Sequence, residues 1–107
     1  MSKRRAELLI RSKLVLYSGH VREIVIWKVP ISKHYPLGLK YRLVLADPVW
    51  RKVLLLFDNH APKGAHIHLN NGQEHDYDFR SVSILIEDFL KLESRLEKNY
   101  ENIEDKN

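Results

Sequence analysis

Apolar and polar residues alternate through the first half of the chain, and that alternation predicts strands. Leu8 to Tyr17 reads Leu-Leu-Ile-Arg-Ser-Lys-Leu-Val-Leu-Tyr, and Val21 to Val29 is rich in β-branched side chains. Ser18-Gly19-His20 leaves room for only a tight connection, so these two runs form an antiparallel hairpin. Pro30 to Lys40 carries two prolines and Gly38 and reads as a loop. Tyr41 to Ala46 is a third strand, Asp47-Pro48 a turn, and Arg51 to Phe57 a fourth, strongly apolar strand. His66 to His68 starts a short fifth strand. After the turn signal Asn70-Asn71-Gly72, Glu74 to Phe79 is extended or a short strand.

The period then changes. Val82, Leu85, Ile86, Phe89, Leu92 and Leu96 recur at spacings of three and four, the stripe of a helix with one buried face. Ser81 is placed to cap its N-terminus; Ile84 three residues on rules out a capping box. The expected fold class is α+β: a four- to five-stranded antiparallel sheet with one C-terminal helix packed on a face. Residues 1–99 are expected to form one domain, and the polar stretch 100–107 a disordered tail.

Composition narrows the class. A chain of 107 residues, 44% hydrophobic, supports a single core. It has no apolar run of about 18 residues, so no membrane span is expected. The basic N-terminus lacks the apolar stretch of a signal peptide. Cysteine is absent, which excludes disulfides and thiolate metal sites. These features fit a cytoplasmic protein. The net charge is +4. Lysine and arginine crowd the first sixty-odd positions, where the acids are only Glu7, Glu23, Asp47 and Asp58; every other acid lies from Glu74 onward. A basic body followed by an acidic helix points to an anionic partner on one face, nucleic acid first, or to self-masking and homodimer contacts.

The chemistry concentrates in Phe57-Asp58-Asn59-His60-Ala61-Pro62-Lys63-Gly64-Ala65-His66-Ile67-His68, which follows the apolar fourth strand. His66 and His68 share one strand face, with Ile67 pointing inward. His60 lies across the Pro62-Lys63-Gly64 turn and can fold back towards them. Four readings compete. The imidazoles with Asp58 can bind zinc or another divalent ion. His60, His66 and His68 can act as general acid and base on an RNA phosphodiester, with Lys63 stabilising phosphate charge. The same groups can only bind phosphate. Or the segment is a polar turn whose side chains bond local backbone. Arg42 faces away from Tyr41 and Leu43 and is a possible phosphate clamp. Trp27 and Tyr41 offer stacking surfaces or are core.

Taken in order, "VIWKVP", "YRLVL", "LLFDNHAPKGAHIH", "GQEHDYDF" and "SVSILIEDFLKLES" resemble the TumE family of small prokaryotic toxins over roughly residues 7–95. The matching positions are Tyr41, Arg42, Asp58, Asn59, His60, Lys63, Gly64, His66 and His68, then Glu74, Tyr77, Phe79, Asp88 and Phe89. Ala61-Pro62 stands where the family has His-Gly, Ala65 where it has Asp, and Ile67 where Arg is frequent. The resemblance implies the toxin of a type II toxin–antitoxin module. Its partner would be a cognate antitoxin, a DNA-binding helix-turn-helix protein. By analogy with other small basic toxins the target is RNA. The expected ribonuclease uses His60, Lys63, His66 and His68 as catalytic residues and Tyr41, Arg42, Asn59 and Lys63 as RNA contacts, with no metal. The alternatives are a phosphodiesterase with a metal on Asp58, His60, His66 and His68, and a non-enzymatic RNA- or protein-binding module.

Overall fold

The computed structural model describes the backbone of residues 5–105 and the side chains of residues 5–99. Six strands run in sequence order: β1 Glu7–Val15, β2 Val21–Lys28, β3 Leu39–Asp47, β4 Lys52–Asp58, β5 His66–Leu69 and β6 Glu74–Asp76. All neighbours pair antiparallel, so the sheet is a meander. One helix, α1, spans Val82–Asp105 and continues into the polar stretch at 100–107. The architecture is the expected α+β one, but the sheet has six strands where four to five were expected. The extra strand is Glu-His-Asp, exposed at all three positions, and pairs only with β5. Such a strand owes its existence to the Asn70–Gly72 turn and the β5 edge, so no apolar alternation announces it.

The helix starts where the sequence places it. Ser81 caps it, with its Oγ accepting from the backbone N–H of Ile84 at 3.2 Å. Its apolar stripe lies on one face of the sheet, and the helix runs closest to β3 and β4. Leu85 and Phe89 are fully buried against Ile24, Ile26, Tyr41, Leu43, Leu45, Leu55 and Phe57. Phe57 meets Phe89 and Tyr77 edge-on, at 5.5 and 5.2 Å between ring centroids.

The acidic helix also meets the basic sheet within the chain. The Arg22 guanidinium donates to both carboxylate oxygens of the buried Glu93. The buried ring of His20 lies 2.9 Å from Glu97, which also accepts from Ser18. The sequence assigned His20 no role, because a histidine in a turn shows nothing of a helix that returns 77 residues later.

Alternation along each strand sends the other side chains to the sheet face that the helix does not cover. By register that face carries Arg11 and Lys13 from β1, Glu23 from β2, Lys40 and Arg42 from β3, Asp58 from β4, His66 and His68 from β5, and Glu74 and Asp76 from β6.

Candidate functional site

The site is built on strand register. Asp58 stands opposite both Arg42 and His66, and His68 stands opposite Glu74. Four neighbouring strands therefore deliver a carboxylate, a guanidinium, two imidazoles and a second carboxylate to one patch of the open face. The His66 and His68 rings are 4.4 Å apart. One ligand atom from each of Asp58, His66 and His68 lies within 4.8 Å of the other two.

His66 is the pivot, with 6% of the residue exposed. Its Nδ1 lies 2.6 Å from the carbonyl oxygen of Gly64. A carbonyl only accepts, so Nδ1 carries the proton and Nε2 is left facing Asp58. Gly64 presents that carbonyl from φ 78°, in the left-handed region that suits glycine. Nε2 and Asp58 Oδ1 approach to 3.0 Å but not with hydrogen-bond geometry, so the oxygen is buried without a hydrogen-bond partner. In the neutral ring two lone-pair-bearing atoms face each other across that gap. A cation bound between them would resolve the conflict.

Glu74 closes the patch from β6. Its Oε1 accepts from Lys63 Nζ at 2.6 Å and lies 3.7 Å from His68 Nε2 and 4.0 Å from His66 Nε2. The bond from Lys63 holds the Glu74 carboxyl below the ordinary carboxylate range, so the contact persists in mild acid and is lost as pH falls through that lowered value. The site reading of the sequence left Glu74 out. Its register opposite His68 is the signal that places it there, and that register exists only once the β5–β6 hairpin is known.

The structure sorts the expected site residues. Asp58, His66 and His68 come together, with Lys63 beside them and Arg42 across from Asp58 on the same face. Arg42 is half exposed and lies 3.8 Å from Glu23. His60 does not join: it is exposed, and among the described residues its side chain makes no hydrogen bond or ion pair. Its strand has ended at Asp58, so alternation no longer aims it. Asn59 is a structural clamp rather than a free contact, its Oδ1 accepting from Tyr41 N–H at 2.9 Å and its Nδ2 donating to the Leu39 carbonyl at 2.8 Å. Asn59→Ala strands both backbone groups and is expected to cost about 1–3 kcal/mol in chemical denaturation. A loss under half of that would show that water replaces the amide.

Of the two readings of Tyr41, stacking surface or core, the structure shows the core position. It is 3% exposed, points to the helix side and stacks on Phe79 with centroids 5.7 Å apart. Burial pushes its phenol well above the ordinary range, and the hydroxyl has no hydrogen-bond partner among the described residues. Trp27, by contrast, lies on the open face opposite Lys40, partly buried.

The result is an α+β domain whose uncovered sheet face carries an imidazole–carboxylate cluster bordered by cations. Compared with known families, the chain matches the model described as Toxin TumE over residues 2–97, and it belongs to that family. It is accordingly the toxin component of a toxin–antitoxin system, with an antitoxin as its partner. Comparisons with curated proteins and with solved structures give no match. No helix among the described residues is long and apolar enough to cross a membrane.

Proposed function

We propose that this toxin cleaves RNA phosphodiester bonds, and that Asp58, His66 and His68 hold a divalent ion such as zinc that assists the reaction. One observation carries the metal reading: a buried Asp58 oxygen without a hydrogen-bond partner faces the free nitrogen of a tautomer-locked imidazole. Metal-bound histidines characteristically have their other nitrogen fixed by a carbonyl or carboxylate, as Gly64 fixes His66. Ligand atoms around a tetrahedral zinc ion lie about 3.3 Å apart, close to the separation of His66 Nε2 and Asp58 Oδ1. Such an ion polarises a phosphoryl oxygen and activates water. Lys63 and Arg42 bind flanking phosphates of the RNA.

A second reading keeps the histidine–lysine acid–base chemistry without a metal. It is favoured by Glu74, whose carboxylate sits between Lys63 and His68 where a phosphate would bind. It is weakened at His66, whose Nδ1 is bound to the Gly64 carbonyl and whose Nε2 is turned towards Asp58 in a ring only 6% exposed.

Purified protein incubated with total RNA and tRNA, with and without EDTA, separates the two. Loss of cleavage in EDTA, restored by zinc or manganese, supports the metal reading. Cleavage that survives EDTA, leaves 2′,3′-cyclic phosphate ends, spares DNA and disappears in His66→Ala/His68→Ala supports the second. No cleavage in any lane overturns both and leaves a toxin that acts by binding.

A further inference from the structure

The two edges of the sheet differ. β6 closes one edge with three residues, whereas β1 forms the other with nine, Glu7–Val15, and pairs on one side only, with β2. We propose that β1 is the docking edge for the antitoxin, which adds an extended segment of alternating apolar and acidic residues there as a seventh strand.

The backbone comes first. At about 3.4 Å per residue β1 presents roughly 30 Å of strand, and about half of its N–H and C=O groups point away from β2. A second extended chain pairs with such groups. Long edges are usually kept short, broken by proline or covered. β1 contains neither proline nor glycine, and the helix lies over β3 and β4 rather than over β1. The one irregularity is at Leu9, which falls out of register between Leu8 and Ile10, so Ile10 to Val15 is a regular stretch.

Side chains then select the occupant. On the helix side of that stretch stand Ile10, Ser12 and Leu14, opposite Ile26, Ile24 and Arg22. Ile10 packs on the core and Leu14 is exposed, so apolar side chains on an added strand extend the core past its present margin. On the open face stand Arg11, Lys13 and Val15. Arg11 and Lys13 are exposed, and among the described residues their side chains make no hydrogen bond or ion pair. These two cations decide against a second copy of the chain. Arg11 is the middle residue of Glu7–Val15, so an antiparallel copy pairing over the whole strand sets Arg11 against Arg11. Like charges directly opposite destabilise a strand pair, whereas acids in those positions stabilise it. Arg11 shares a register row with Val25, Arg42 and Asp58. It therefore lies three strand spacings from Asp58, about 14 Å, and docking at β1 is independent of the reaction assigned to the cluster.

The test is hydrogen–deuterium exchange of the full chain alone and in complex with its antitoxin, beside titration of the two. The chain alone is expected to be monomeric by light scattering, and amides between Leu8 and Val15 to exchange at least about tenfold more slowly in the complex. Arg11→Glu/Lys13→Glu changes two exposed positions. It is expected to unfold at the wild-type temperature and to bind the antitoxin about 100-fold more weakly at low salt, while Arg11→Lys/Lys13→Arg binds as wild type. His66→Ala/His68→Ala is expected to bind the antitoxin as tightly as wild type. Protection confined to the helix or to β4 and β5, or wild-type affinity in the charge-reversed variant, overturns the docking edge. A dimer whose β1 is protected before antitoxin is added overturns it too, and makes a second copy the occupant.

Discussion

Asp58→Asn is expected to abolish divalent-ion binding and RNA cleavage while leaving the fold as stable as before, or more so. Asp58 is partly buried at the end of β4, and its Oδ1 is buried with no hydrogen-bond partner among the described residues. Removing a buried, unsatisfied charge relieves desolvation, so the folded state gains from the amide. The ion loses its only anionic ligand of the three. Removing groups that merely orient ligands costs about 10–100-fold in metal affinity, so losing a ligand costs at least that much. Calorimetric titration with zinc and manganese, beside thermal unfolding, measures both effects. Wild-type metal affinity in the variant would remove Asp58 from the site. A large loss of stability would instead make its contact with His66 a structural ion pair.

Phe89→Ala is expected to destabilise the protein by about 3–5 kcal/mol, the cost of a cavity where a large buried ring is removed. Phe89 is fully buried and stands edge-on to Phe57, which stands edge-on to Tyr77. Leu85 is the only other fully buried helix residue described, so the seam between helix and sheet is narrow. A small domain has only about 5–15 kcal/mol in total, so the variant spends a large share of that on one ring. Denaturant unfolding provides the measurement, with the exposed Ser94→Ala as a control expected within about 0.5 kcal/mol of wild type. A loss below about 1 kcal/mol would mean that the helix contributes little to stability. Because Phe57 precedes Asp58 in β4, undocking the helix is also expected to loosen the cluster.

The parts read correctly from sequence are those governed by local rules. Alternation, β-branched content and the apolar run at Val53–Phe57 located β1 to β5, and a 3.6-residue period together with Ser81 located α1 and its start. The i, i+2 rule put His66 and His68 on one face with Ile67 turned inward. It also put Arg42 and Tyr41 on opposite faces. Where no local rule applied, the reading drifted. His60 lies beyond the end of β4, so its direction depends on the loop. Asn59 looked like a free polar contact because its two partners, Tyr41 N–H and the Leu39 carbonyl, belong to a different strand. Tyr41 stayed open between stacking surface and core because nothing near it in the chain reveals Phe79.

By itself, then, the sequence determined the element types, the α+β class, the family, and the segment that supplies Asp58, His66 and His68 to the candidate cluster. These are properties of periodicity and composition over short windows. Only the tertiary structure decided the sixth strand, the face on which the cluster sits and the membership of that cluster. Each depends on cross-strand register, which pairs Asp58 with His66 and His68 with Glu74 across hairpins. Register is set by turns and by which side chains the helix buries, so it exists only when the sheet and its cover have come together.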